Sequence, residues 1–268
     1  MRDFLFYNRY MITKRIQLSS HQVNIAFIEP KKKQQENTYL LFLHEALGSI
    51  GQWRNFPQLL CDQLGMAGFI YERQGHGSSD PLPGERDNRY LHNYAYDELP
   101  QVIQQLIPAG RKVILVGHSD GGSIALLYAA KFPKQVTGIV TMAAHILSEP
   151  ETLKGIHPAI EAYQQGKLEG LKKYHGDKTE TLFYAWANTW LSEGFKNWNI
   201  ASDIQGISCP ALIIQGKEDQ YGTPLQVEMI VGSMKGGEGV ILENCKHHPH
   251  LEQTEEVVEL ISDWVQVL

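Results

Sequence analysis

Apolar residues in this chain fall into short continuous runs, separated by segments with helical spacing. The clearest run is Val113 to Val116, which ends at Gly117. A tight Gly117-His118-Ser119-Asp120-Gly121 turn follows, and Ile124, Leu127 and Tyr128 then recur at helical intervals. The pattern predicts strand, sharp turn and helix. Runs over 39–43, 69–71, 138–143, 211–215 and 240–243 predict further strands. Continuous apolar runs such as 39–43 belong to strands buried on both faces of a parallel sheet. Near the start, 12–18 and 23–29 flank Ser19-Ser20-His21 and predict a hairpin.

Helical spacing of Trp53, Phe56, Leu60 and Leu64 predicts a helix from about Asn55, because Pro57 is tolerated only in a first turn. A second helix is predicted over about 93–106. The closing helix carries Val257, Leu260, Ile261, Trp264, Val265 and Leu268 on one stripe, with Thr254 as its N-cap. From 146 to 208 the strand signal disappears. That segment is rich in helix formers, tyrosine and tryptophan, and Leu182, Trp186 and Trp190, with Phe183 beside them, form a strongly apolar stripe. Strands alternating with helices predict an α/β fold.

At 268 residues the chain suits one α/β domain with an insertion, or at most two small domains, and 43% hydrophobic residues suffice for a sizeable core. The net charge of -6, with no basic cluster beyond Lys31 to Lys33, argues against nucleic acid as a partner. The KKKQQEN run itself reads as a solvated loop. Cys61, Cys209 and Cys245 have no metal-ligand spacing, and an odd count is poor material for a disulfide framework, so a reducing cytoplasm is expected. The first fifteen residues lack an apolar core with a cleavage site, and no stretch approaches the ~18 apolar residues of a membrane span. No Gly-x-Gly-x-x-Gly or P-loop follows a strand, so neither nucleotide, metal nor other cofactor is expected.

Ser119 lies between two glycines in a G-x-S-x-G turn, whose glycines leave room for a strained backbone and whose serine oxygen is pushed above the sheet edge. Downstream, Asp219 fits Gly-x-x-Asp after the 211–215 strand, and His247, Pro249 and Glu252 fit His-x-Pro-x-x-Glu after the last strand. The order Ser, Asp, His, with each residue after a predicted strand, resembles the α/β-hydrolase superfamily over nearly the whole chain.

The resemblance implies a mostly parallel eight-stranded sheet flanked by helices, with a core of 1–145 and 209–268 and a helical cap at 146–208. It implies Ser119 as nucleophile, His247 as base and Asp219 as acid, with Glu218 as a neighbouring competitor and His248 and His250 as rivals for the base. His118 is expected to pack below the turn. The backbone N–H groups of Ala46, with Leu47 as fallback, and of Asp120 would form the oxyanion hole. Glu45 stands where the family usually has glycine, and its side chain is expected to face away from the developing oxyanion. The loop from Arg73 to Ser79 resembles a structural family loop with its arginine shifted by one residue. Trp53, His145, Trp186 and Trp190 are expected to line the substrate site.

The expected reaction is hydrolysis of a small or medium, uncharged carboxylic ester through an acyl-enzyme on Ser119. A serine nucleophile excludes the branches that attack by carboxylate. Other chemistry of the same triad remains open, including C–C bond, lactone, amide or thioester hydrolysis and acyl transfer. A small-molecule receptor on this fold is the alternative of another class. The expected partner is a small-molecule ester, without nucleic acid or membrane, and the protein is expected to be a monomer or homodimer.

Overall fold

The computed structural model describes residues 11–268, so the part of the leader reading that concerns residues 1–10 lies outside the described residues. Eight strands form one sheet: β1 (Met11–Gln17), β2 (Gln22–Ile28), β3 (Gln35–Leu43), β4 (Met66–Glu72), β5 (Lys112–His118), β6 (Val136–Met142), β7 (Ala211–Gly216) and β8 (Gly237–Leu242). Their order is β1-β2-β4-β3-β5-β6-β7-β8. The β1–β2 hairpin and the β2–β4 pair are antiparallel, and every other pairing is parallel.

Side-chain alternation along the central strands feeds two core layers. Leu41, Leu43, Val113 and Leu115 face one layer, together with Val102 and Ile103 of α3 (Leu99–Leu106) and Ile124 and Leu127 of α4 (Asp120–Lys131). Leu40, Phe42, Ile114 and Val116 face the other, with Phe56 and Leu60 of α1 (Phe56–Leu64) and Val257, Ile261 and Trp264 of α10 (Thr254–Gln266). Burial on both faces is why these strands read as unbroken apolar runs.

Several elements differ from the sequence expectation. Strand β3 begins at Gln35, inside the run expected to be loop. The helix expected from 93 begins with α2 (Tyr90–Asn93) and passes through a π turn (Tyr94–Glu98) into α3. The widened turn directly precedes Leu99-Pro100, where a proline ring cannot sit against the carbonyl four residues back in an unbroken α-helix. Thr254 is the first residue of α10 rather than its cap, and its hydroxyl donates to the His250 carbonyl at 2.9 Å. One helix, α8 (Pro224–Gly232), was not expected at all. It is short, and only Gln226, Val227 and Ile230 are buried on it, too few to mark a periodic stripe.

Between β6 and β7 lie α5 (Pro150–Gln164), α6 (Lys172–His175) and α7 (Thr179–Trp190). The base of this segment is closed by an isolated antiparallel bridge between Leu147 and Asn199, and Leu182, Phe183, Trp186 and Trp190 of α7 are buried. Near the end of the described chain a short helix, α9 (Pro249–Glu252), leads into α10. Among the described residues, no helix is long and apolar enough to cross a membrane.

The connections decide where chemistry can gather. From β3 the chain goes to β4 on one side, while β5 lies on the other, so the order reverses between β3 and β5. A crevice opens outside the carboxyl ends of strands at such a reversal. The turns after β3, β5, β7 and β8 carry Glu45, Ser119, Asp219 and His247.

Candidate active site

At the end of β5 the backbone turns so sharply that Ser119 adopts φ 52° and ψ -120°, a conformation L-residues rarely hold. The flanking glycines permit it. A Cβ at Gly121 would lie 1.9 Å from the Leu43 carbonyl oxygen, and one at Gly117 would lie 2.3 Å from the carbonyl oxygen of Gly121. Ser119 N–H donates to the Met142 carbonyl at 2.9 Å, which ties the turn to the end of β6.

His247 Nε2 lies 3.0 Å from Ser119 Oγ. The other ring nitrogen, Nδ1, lies 2.8 Å from both carboxylate oxygens of Asp219. A proton on Nδ1 donated to Asp219 leaves the Nε2 lone pair free to accept the serine proton. Asp219 also accepts the Tyr221 N–H at 2.8 Å and the Gln215 side-chain amide at 2.9 Å. Burial alone would raise the Asp219 pKa, but the charge and hydrogen bond of His247, His145 and the Tyr221 N–H outweigh it and hold the group below its ordinary range.

The competitors stand elsewhere. Glu218 accepts the Cys245 N–H at 2.7 Å and so braces the loop before His247. His250 is buried with its ring centroid 4.8 Å from that of Trp53, and His118 Nε2 donates to the His247 carbonyl at 2.7 Å beneath the elbow. Burial presses both rings toward the neutral form, His118 to a pKa of about 3.

The turn after β3 sits opposite the elbow. Among the described residues, the N–H groups of Ala46 and Leu47 enter none of the turn's backbone hydrogen bonds, whose closing bond runs from Gly48 N–H to the Glu45 carbonyl at 3.1 Å. Ala46, Leu47 and Asp120 line the same cavity as Ser119. Glu45 lines that cavity too. Its carboxylate is 3.8 Å from His248 Nε2. Burial would raise the Glu45 pKa, yet the close approach and charge of His248, with His118 and His247 behind, bring it to about 2. His248 moves upward, the Glu45 and Glu252 carboxylates overcoming its burial. Glu45, His118 and His248 place ligand-type atoms within 4.8 Å of one another, but His118 is engaged with the His247 carbonyl and the other two with each other.

The sequence profile of the alpha/beta hydrolase family matches residues 40–260. The chain belongs to the alpha/beta hydrolase family. It is 23% identical to a proline iminopeptidase of Saccharolobus solfataricus, over 85% of either chain. It is 25% identical to a 2-hydroxy-6-oxononadienedioate/2-hydroxy-6-oxononatrienedioate hydrolase of Klebsiella pneumoniae, covering 84% of this chain and 86% of the relative, and 27% identical to the human serine hydrolase BPHL, covering 73% and 68%. Among solved structures, the enol-lactonase from Burkholderia xenovorans LB400 superposes with a TM-score of 0.72 at 17% identity, over 94% of this chain and all of that one. That likeness concerns the fold. The protein is thus a hydrolase on an alpha/beta hydrolase fold.

In this hydrolase, Ser119 opens on a chamber of about 100 Å³ walled by His145, Thr152, Ile156, Trp186, Trp190 and Tyr221. A wider neighbouring chamber of about 650 Å³ shares Glu45, Leu47, Trp186, Gln220 and Tyr221 with it. Of the residues expected to line the substrate site, His145, Trp186 and Trp190 line the chamber of Ser119 and Trp53 does not. It packs edge-on against Phe42 and beside Phe56 in the core, because the turn before α1 points it under the sheet.

Other side-chain contacts around the site were not legible. Asp120 Oδ2 accepts the Tyr90 hydroxyl at 2.8 Å, and Trp190 Nε1 donates to that same hydroxyl at 2.8 Å, so α7, α2 and the elbow helix are joined through three side chains. Burial raises the Asp120 pKa against the pull of Arg73 and Arg86. Tyr221 lies two residues beyond Asp219, its ring centroid 4.8 Å from that of His247. That proximity in sequence was the one available signal. Tyr90 offered none, since its partners are thirty and a hundred residues away.

Proposed function

We propose that this hydrolase cleaves compact, uncharged carboxylic esters through an acyl-enzyme on Ser119. The observation that carries the reading is the 3.0 Å contact from His247 Nε2 to Ser119 Oγ, with Nδ1 of the same ring on Asp219. A hydroxyl is a weak nucleophile until a base stands ready for its proton. His247 takes that proton as Oγ bonds to the ester carbon, and the carbonyl electrons move onto oxygen. That oxygen is met by the N–H of Asp120 and of Ala46 or Leu47. As the C–O bond to the alcohol breaks, the imidazolium hands its proton to the departing oxygen. Water then repeats the sequence on the acyl-enzyme: His247 takes its proton, the carboxylic acid forms, and the proton returns to Ser119 Oγ.

The chamber supports the substrate class. Ile156, Trp186 and Trp190 give it apolar walls, which favour an uncharged acyl group. Its volume of about 100 Å³ suits an acyl group of a few carbons. The three cysteines are free and buried, which accords with a cytoplasmic location. Relatives named as a proline iminopeptidase and as a 2-hydroxy-6-oxononadienedioate/2-hydroxy-6-oxononatrienedioate hydrolase keep other reactions of this triad as the competing reading.

A fluorophosphonate should label Ser119, located by mass spectrometry. Ser119→Ala should lower turnover on the order of 10⁶-fold. In a panel of short p-nitrophenyl esters, peptide amides and lactones, the esters should give the highest kcat/KM. Labelling elsewhere would overturn the nucleophile, and faster peptide cleavage would overturn the substrate class.

A further inference from the structure

An oxyanion hole made of backbone N–H groups works only while each peptide unit keeps its N–H toward the substrate. A flipped unit would present a carbonyl oxygen and repel the charge it should receive. All four carbonyls of the turn from His44 to Leu47 are anchored by side chains, and two of them, those of Glu45 and Ala46, share their peptide units with the N–H groups of Ala46 and Leu47. Arg73 donates through Nη1 to the His44 carbonyl and through Nη2 to the Glu45 carbonyl at 2.7 Å, and His44 Nδ1 adds a bond to the Glu45 carbonyl at 2.8 Å. His76 Nε2 reaches the Ala46 carbonyl at 3.0 Å. These three anchors belong to the turn itself and to the loop after β4.

The fourth comes from the inserted segment. His175, at the end of α6 and 3% exposed, places Nε2 2.9 Å from the Leu47 carbonyl. Its Nδ1 lies 2.9 Å from Gly77 N–H, which has only a proton to give, so Nδ1 is the acceptor and Nε2–H the donor. One neutral ring thus joins the end of the oxyanion turn to the residue after His76. Three residues on, Lys178 Nζ donates to the carbonyls of Gly77 at 2.7 Å, His76 at 3.3 Å and Ser79. His175 and Lys178 together grip the loop that carries His76, yet neither lines the chamber of Ser119.

We propose that His175 is a positioning residue for the oxyanion turn, and that the inserted segment, through His175 and Lys178, completes the hole only when it is seated on the loop at 76–79. The inserted segment then has a second task besides enclosing substrate. Its docking holds the loop of His76, whose ring fixes the Ala46 carbonyl and with it the Leu47 N–H of the same peptide unit, so a substrate that helps to seat it also readies the transition-state site. This rests on the acyl-enzyme reading above.

The test separates transition-state from ground-state binding. Initial rates on a p-nitrophenyl ester are measured for wild type, His175→Ala, His175→Gln and Lys178→Met. The same proteins are titrated with an alkyl boronic acid, which binds as a tetrahedral anion, and with the neutral alkyl ketone of the same chain length, which binds without charge development. For His175→Ala the expected result is a 10- to 100-fold fall in kcat with KM within about threefold. Boronate affinity should fall by the same factor as kcat/KM, with ketone affinity unchanged. His175→Gln, which can both donate and accept, should recover most of the loss. Lys178→Met should show the same selective loss to a smaller degree, and it decides the matter if His175→Ala fails to fold. Folded variants with kcat and boronate affinity within twofold of wild type, or equal losses of boronate and ketone, would overturn the proposal. Fluorophosphonate labelling of the wild type tests the acyl-enzyme reading separately, since its failure would appear before any variant is compared.

Discussion

Lowering the pH from 7.5 to 5.5 should destabilise this protein far more than its few exposed histidines would suggest. His44, His76, His118 and His250 are buried, and burial is the leading cause that holds all four below the ordinary histidine range, His118 at about 3 and the others well below 6.5. In the unfolded chain each would titrate near 6.5. Below that pH the unfolded state binds protons that the native state refuses, so stability falls as pH falls. One unit below the unfolded pKa each histidine contributes a loss of about 1.4 kcal/mol, and four contribute roughly 5 kcal/mol. His248 acts in the opposite sense. Its folded pKa is raised, so its contribution is fully present below the unfolded pKa and fades as pH rises through the folded one. Glu45 and Asp219 have depressed values, and their contributions are lost only at more acid pH, outside the window. His92, His145 and His175 are lowered by burial too and act in the same sense, so the net loss is at least about 4–5 kcal/mol, a large share of the 5–15 kcal/mol typical of a folded domain. Urea unfolding at pH 7.5, 6.5 and 5.5, extrapolated to water, measures it directly. His250→Phe, which keeps the packing on Trp53 and Phe56, should reduce the acid loss by about 1.4 kcal/mol. A total loss under about 1.4 kcal/mol would refute the reasoning, since it would mean that the buried histidines are charged in the native state.

His247→Ala should abolish turnover, whereas His248→Ala should retain much of it, because only His247 reaches both Ser119 and Asp219; steady-state rates of the two variants decide between them. Glu45→Gln should keep both limbs of the pH profile of kcat/KM between pH 5 and 9, since a carboxyl with a pKa near 2 stays ionised throughout that range; loss of a limb would show that Glu45 titrates in turnover. Trp186 forms part of the wall between the two chambers, so Trp186→Ala should move the optimum toward longer acyl chains. Each added methylene that fits gains about 0.8 kcal/mol, or roughly fourfold in kcat/KM across a p-nitrophenyl ester series, while the folded state loses about 3–5 kcal/mol in thermal or urea unfolding; an unchanged optimum would place the acyl group elsewhere.

By itself the sequence determined what short-range physics dictates. Unbroken apolar runs such as 113–116 mark strands buried on both faces, since a strand covered on two sides has no polar face to display. Gly117 and Gly121 around Ser119 announce a turn that no side chain can enter, and the structure shows the carbonyls that forbid one. The succession of Ser119, Asp219 and His247, each just beyond a strand, already placed them at one edge of a parallel sheet. What the chain could not decide alone lies in contacts between residues far apart in sequence. His247, His248 and His250 are nearly equivalent as letters, and they separate only when the loop after β8 folds across the elbow and brings one ring to Ser119, 128 residues away. Glu45 meets His248 only because the turns after β3 and β8 fold to one edge of the sheet, and Trp53 packs against Phe42 and Phe56 in the core. His175 reaches the Leu47 carbonyl across another 128 residues, in a helical segment whose composition signals only packing. Local propensity and periodicity act over a few residues. The direction of a side chain in a turn is set by whichever charge, ring or carbonyl the rest of the fold brings beside it.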